Sequence, residues 1–330
     1  MTCKKTECCQ DATASCDEET CNEQLCRHEA YINELFSRTE WLKTQLTGTD
    51  EELLINFISD AGEAGDNQDL LAAQVVAEDP AILLAGGDNN YETGSHDTIE
   101  ANWAAFDTFV QRGTAYPALG NHDLDDSAVN PGINQYNKFS YLPNNRRYYH
   151  IYNEVGDVDI FVLNSGIDTN GNLVETDGNE IGSTQYNWFI SELANSYGRF
   201  KIVMFHHPYI SGVSNAINNG RAYPELNWGF KSMGIDLILN GHTHTAQHIV
   251  TDGLDILDVS SAVRGRRVMS NSGTIYGSDA AISELRWAYA GNGQTGERAY
   301  ASILVVGRVM SVTVKRTSDG APIYSFPIIK

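Results

Sequence analysis

Five short apolar runs in this chain, 53–59, 81–85, 115–119, 200–205 and 235–240, each end in a polar turn carrying Asp, Asn or His. The turns hold Ser59, Asp60 and Gly62; Gly87, Asp88 and Tyr91; Gly120, Asn121, His122 and Asp123; His206, His207 and Pro208; and Gly241, His242, Thr243 and His244. Apolar runs of this length bounded by turn residues read as buried strands. Another strand is predicted over 158–164, and helical patterns over 69–78, 98–112 and 184–196 separate several of the strands. Such alternation predicts an α/β fold of sheets covered by helices. Ligands of these folds gather outside the carboxyl ends of the strands, so the turns can face one crevice. Glycine beside the polar residues lets the backbone turn sharply and approach closely. Toward the end of the chain, 299–306, 310–315 and 324–328 read as consecutive strands with antiparallel pairing.

The turns bring together a mixed oxygen and nitrogen donor set. Asp60 and Asp88 offer carboxylates, Tyr91 a phenol, Asn121 an amide oxygen, and His206, His242 and His244 imidazoles. Hard oxygen donors suit Fe(III), and imidazole with oxygen suits Zn, Fe(II) or Mn. No cysteine follows Cys26, which excludes a thiolate site from this part of the chain. Seven donors are too many for one catalytic zinc and suit two ions that share a bridging ligand. Two-metal sites with ions roughly 3.5–4 Å apart clamp phosphoryl groups during in-line displacement.

In content and order the five turns resemble the motifs of the calcineurin-like metallophosphoesterases, and most of all those of the low-molecular-weight, mammalian-like purple acid phosphatases. The likeness extends over roughly residues 52–330 and includes the run from Gly87 to Gly94, the helix with Thr184, Gln185 and Trp188, and the final strands around Met310–Val314. It implies a metallophosphoesterase-type β-sandwich flanked by helices. It also implies that Asp60, Asp88, Tyr91 and His244 hold Fe(III), and that Asn121, His206, His242 and the same bridging Asp88 hold a divalent Fe, Zn or Mn. Many relatives carry Asp-x-His in the first motif; here Gly62 stands at the His position and Tyr91 would supply the missing ligand, with the purple charge-transfer colour typical of that family. Metal-bound hydroxide would attack phosphorus in line, because Lewis acids depress the pKa of bound water by several units. His122 would protonate the leaving oxygen, a role typically worth about 10²–10⁴ in rate. His207 is a further catalytic candidate beside the substrate. Two departures stand out. Ser59 replaces the usual Gly, and no His follows the fourth motif within 209–220, where Asn215, Asn218, Asn219 or His207 could substitute.

Lys and Arg total 22 against 43 Asp and Glu, a formal charge of −21. That surface predicts no nucleic acid and no anionic membrane as partner, while two metal ions would leave the site itself attractive to a small phosphate ester. No apolar run is long enough to cross a bilayer and no apolar stretch follows Met1, which predicts synthesis in the cytoplasm without a secretion address. All six cysteines, Cys3, Cys8, Cys9, Cys16, Cys21 and Cys26, crowd into a polar N-terminal segment. They could form disulfides or bind zinc or an iron–sulfur cluster. The expected organisation is a cysteine-rich module over 1–26, a linker or docking helix within 27–50 patterned by Tyr31, Leu35, Leu42 and Leu46, and a catalytic domain over 51–330. The N-terminal module suggests a protein partner or a larger assembly, such as a virion that later meets an oxidising exterior. Three functions follow as expectations: acid phosphomonoesterase, phosphodiesterase or pyrophosphatase on small nucleotides, and an attachment or structural component carrying a phosphatase-like domain.

Overall fold

Both faces of Glu52–Ile58 (β1) are covered, and the run takes the middle of a sheet. A computed structural model of the chain describes residues 51–330 apart from 128, 144–145, 213–222, 261, 264–274, 278–279 and 289–297. The cysteine-rich segment 1–26, the helix expected over 27–47, and Asn215, Asn218 and Asn219 lie outside the described residues.

After β1 come α1 (Asp66–Glu78), β2 (Ile82–Ala85), α2 (His96–Trp103), α3 (Asp107–Arg112), β3 (Ala115–Pro117), α4 (Ile133–Lys138), β4 (Tyr149–Asn153), β5 (Val158–Val162), α5 (Thr184–Asn195) and β6 (Phe200–Met204). The rest of the chain adds β7 (Ile210–Ser211), β8 (Leu237–Asn240), β9 (Ala246–Thr251), β10 (Leu254–Val259), β11 (Tyr276–Gly277), β12 (Ser283–Ala288), β13 (Ala299–Val306), β14 (Val309–Arg316) and β15 (Pro322–Ile329). One sheet runs β15-β14-β13-β1-β2-β3 and the other β12-β9-β10-β8-β6-β5-β4, with β7 and β11 as a separate pair. The predicted antiparallel ending is present in β13, β14 and β15.

The inner faces of the two sheets share one core. Ile55, Phe57, Ile303 and Val305 of the first meet Ile160, Val162, Ile202, Leu237 and Leu239 of the second. Side chains alternate along a strand, so Phe161, Val203, Ile238 and Ile256 turn to the opposite face, where α5 covers them with Phe189. Burying one such side chain contributes about 1.5–3 kcal/mol. The chain therefore has the mixed α/β architecture predicted, with sheets flanked by helices.

One predicted helix is broken. Residues 98–112 form two short helices joined by a 3₁₀ turn over Ala104–Phe106. Trp103, Phe106 and Phe109 are all buried and recur every third residue. Three residues per turn keeps such a series on one face, whereas 3.6 would rotate it away. Among the described residues, no helix is long and apolar enough to cross a membrane.

Candidate metal centre

Strands β1, β2 and β3 are parallel, as are β6 and β8 in the other sheet. Their carboxyl ends carry the five polar turns, and the turns meet where the two sheets meet. Asp60 N–H donates to the Gly87 carbonyl at 3.1 Å, and Gly62 N–H to the Asp88 carbonyl at 3.0 Å, locking the first turn to the second. A Cβ at Gly120 would lie 2.1 Å from Asp88 N, so only glycine lets the third turn pack this closely on the second. Asp60, Asp88, His242 and His244 have φ of 55°, 53°, 74° and 53°. Non-glycine residues seldom adopt this left-handed backbone, and it concentrates at functional sites.

The polar side chains fall into two sets that share Asp88. In the first, the Tyr91 hydroxyl donates to Asp88 Oδ2 at 2.9 Å and lies 3.3 Å from Asp60 Oδ1 and 3.4 Å from His244 Nε2. His244 Nε2 is 3.2 Å from Asp60 Oδ1. The other oxygen of Asp60 is engaged by Ser59 Oγ at 2.7 Å and His242 N–H at 3.0 Å, which turns Oδ1 toward Tyr91 and His244. In the second set, Asn121 Oδ1 lies 3.1 Å from His206 Nε2 and 2.9 Å from His242 Nδ1, and Asp88 Oδ1 lies 3.3 Å from His206 Nε2. All seven candidate ligands, Asp60, Asp88, Tyr91, Asn121, His206, His242 and His244, are thus brought together.

The donor chemistry fits metal ions. His206 Nδ1–H donates to the Gly86 carbonyl at 2.7 Å. In the neutral ring Nε2 then carries a lone pair, yet it faces two oxygens, Asn121 Oδ1 and Asp88 Oδ1. A cation or a proton must stand among them. Asp60, Asp88 and His244 form one group with donor atoms within 4.8 Å of one another, and His206, His207 and His242 form another. Burial raises the Asp88 carboxyl, but the charge and hydrogen bond of His206, with His122 and His242, hold it well below the usual carboxylate range. Asp88 is therefore an anion positioned between the two sets.

His122 sits on the rim. Its backbone N–H donates to Asp88 Oδ1 at 3.0 Å, its Nδ1 meets the Glu92 carbonyl at 2.5 Å, and its ring packs edge-on against Tyr91 at 4.5 Å. His207 is fully buried. It shares a 2.6 Å hydrogen bond with Ser165 Oγ, and its ring lies 4.3 Å from that of His242 and 4.9 Å from that of Tyr223.

Sequence reasoning did not single out the residues that brace this arrangement. The buried Asp123 carboxylate accepts from Asn89 N–H and Gly120 N–H, tying the second turn to the third. Burial and the nearby Asp88 charge push its carboxyl up to about 7, although those backbone donors oppose the shift. Arg147 pairs with Glu175 and, at 2.5 Å, with Asp177; Glu175 in turn accepts from Asn164 Nδ2 at 2.6 Å, which fixes the loop that carries Ser165. Adjacency in the motif could have flagged Asp123. The partners of Arg147 and Ser165 lie far away in sequence and carry no local signal.

The chain belongs to the calcineurin-like phosphoesterase family, whose model matches residues 53–246. No curated protein matches it in sequence. Among solved structures it is similar to the purple acid phosphatase PPD1 of yellow lupin (Lupinus luteus), with a TM-score of 0.62 and 13% identity over 86% of this chain and 55% of that one. It therefore spans little more than half the length of the lupin enzyme. It is also similar to GAP50, described as the anchor in the inner membrane complex of Plasmodium (TM-score 0.60, 16% identity, 84% of this chain and 89% of that one). A third similar structure is PhoD, at TM-score 0.53 and 14% identity over 86% of this chain and 71% of that one. At these identities the likenesses establish the fold.

Proposed function

We propose that the chain is a binuclear-metal acid phosphatase acting on phosphomonoesters, with a centre like that of the purple acid phosphatases. Asp60, Tyr91 and His244 with Asp88 would hold Fe(III). Asn121, His206 and His242 with the same Asp88 would hold divalent Fe, Zn or Mn. The observation that carries this reading is the divided Asp88 carboxylate, with Oδ2 at Tyr91 and Oδ1 at His206. When bound, the two ions would supply Lewis acidity toward a phosphoryl group and water acidic enough to act below neutral pH.

The chain's own groups supply the rest. Ser59 and the His242 N–H orient the Asp60 carboxylate. With Nδ1–H committed to the Glu92 carbonyl, His122 keeps Nε2 to deliver a proton to the leaving oxygen. The Tyr91 ring limits its rotation. His207 would act from beneath, held by Ser165 and packed on His242. Steady-state assays on mono- and diester substrates test the reading. Monoesters should be preferred, most strongly at acidic pH, and Asp88→Asn or His206→Ala should each remove nearly all turnover. Faster turnover of diesters or pyrophosphates would move the activity to the other reading on the same metals, while a protein with two ions bound and no hydrolysis of any phosphoester would contradict both.

A second reading can coexist with this one. A structural neighbour is described as an anchor, and six cysteines crowd the N-terminal segment of this chain. That combination supports attachment of the enzyme to a larger assembly through residues 1–50. Deleting 1–47 should leave an active, metal-loaded protein that no longer joins its assembly. An unfolded or metal-free product would contradict attachment.

A further inference from the structure

Behind the fifth turn lies a buried polar knot that the chemistry above does not use. Its hub is Asp258, 2% exposed, in β10 opposite Asn240 of β8 and Gln247 of β9. Thr243 Oγ1 donates to Asp258 Oδ2 at 2.5 Å, Ser260 Oγ to Oδ1 at 2.6 Å, and Gln247 Nε2 to Oδ2 at 3.1 Å. Ser260 also takes Thr245 N–H at 3.1 Å and gives its own N–H to the Thr245 carbonyl at 2.9 Å. Gln247 Oε1 accepts Gly212 N–H at 2.8 Å, just past β7.

Thr243 is the residue between His242 and His244. Those two histidines serve different donor sets, and both have left-handed backbone. Such a conformation persists only where the surroundings over-determine it. Thr243 is fully buried and contributes no ligand of its own; its hydroxyl instead meets Asp258, Thr245 at 2.6 Å and Ser260 at 3.1 Å. The neighbours of Asp258 in its strand, Leu257 and Val259, are apolar and fully buried. A carboxyl group at that depth is costlier than a third apolar residue unless its hydrogen bonds are made. The partners it has are the turn's hydroxyl and the two side chains that brace it.

We propose that Asp258 is a positioning residue of the metal centre: through Thr243 it holds the turn that delivers His242 to one donor set and His244 to the other. The role rests on the binuclear reading. It predicts a signature that loss of no single ligand other than the shared Asp88 would give, because loosening this turn moves one ligand of each ion together.

Mn(II) is the probe, since thiolates of the N-terminal segment compete poorly for it. Calorimetric titration and thermal melts of the full chain, metal-free and Mn(II)-loaded, provide the readouts. Wild type should bind two Mn(II) per chain. Asp258→Ala and Thr243→Val should each weaken both bound ions by about 10–100-fold, the usual size of an outer-shell effect. Each should shrink the metal-induced rise in Tm by more than it lowers the metal-free Tm. The double variant should be no worse than the weaker single, because both cut the same link. Asp258→Asn, which keeps an acceptor oxygen, should recover part of the loss. Thr243→Val leaves the carboxyl group in place and carries the test if Asp258→Ala does not fold. Wild-type Mn(II) affinity in both variants, with equal falls in metal-free and loaded Tm, would overturn the proposal and leave Asp258 a support of the fold alone. A wild type that binds fewer than two ions would instead contradict the binuclear reading, and this role with it.

Discussion

The hydroxyl of Tyr91 donates to Asp88 Oδ2 at 2.9 Å, while the other oxygen of that carboxylate faces His206 at 3.3 Å. Tyr91 reaches this position because nothing can project from residue 62. A Cβ there would lie 2.0 Å from the Asn89 carbonyl carbon and 2.3 Å from Asn90 N. The second turn thus occupies the space a first-motif histidine would need. Gly62→Ala should destabilise the metal-free protein by about 3 kcal/mol, the upper end of overpacking, because the obstruction is backbone. Urea denaturation measures this. A change within about 0.5 kcal/mol would show that the turn yields.

His122→Ala should lower turnover by about 10²–10⁴ while both ions stay bound. The penalty should shrink for substrates with good leaving groups, which need less protonation. Equal penalties for good and poor leaving groups would remove His122 from the general-acid role.

Metal uptake should release a proton. Burial lowers the His206 imidazole, but the Asp88 charge and hydrogen bond, with Asp60 and the Gly86 carbonyl, push it up to about 10. The metal-free ring is therefore protonated at pH 7, and an ion reaching Nε2 must displace that proton. Calorimetric binding heats for Mn(II) at pH 7 should vary with the ionisation enthalpy of the buffer, and affinity should weaken as pH falls. Heats independent of buffer would contradict this account of the second donor set.

Away from the site, Glu78 joins α1 to the sheet through Tyr300, Asn56 at 3.1 Å, Ser302 at 2.8 Å and Lys315 at 3.1 Å. Burial raises its carboxyl, yet the hydrogen bonds and the Lys315 charge together leave it below the ordinary glutamate value of 4.5. A depressed folded pKa contributes stability that is present above the unfolded value and lost as pH falls through the folded one. Glu78→Gln should cost about 1–3 kcal/mol at pH 7. The gap to wild type should close progressively below about pH 4.5. A gap that stays constant to pH 2 would show that the charge contributes nothing.

The candidate ligands were legible because they stand at or just beyond strand ends, where an apolar run stops at a polar turn. Tyr91 stood out through Gly62, because the resemblance to the metallophosphoesterases puts a histidine at that position and so implies a substitute. The strands β9 and β10 were not anticipated, although Asp258 and Gln247 lie on them. Their meaning comes from the register that sets Asp258 opposite Gln247 and Asn240, and pairing of that kind leaves no local trace. The break at Ala104–Phe106 was missed for a related reason. An apolar residue at every third position satisfies a helix pattern over one turn and betrays itself only when the buried face is known. Ser165, which reaches His207, depends on a loop clamped by Arg147 and Glu175 and has no signature of its own.

Metal analysis with a visible absorption spectrum of the purified protein tests the proposed Fe(III)–tyrosinate centre. The expected protein holds one iron and one divalent ion at the centre and turns purple or pink on oxidation, a colour that Tyr91→Phe abolishes while the fold survives. A wild-type protein that is colourless as purified, before any metal is removed or added, and carries two zinc or two manganese ions at this centre would contradict it.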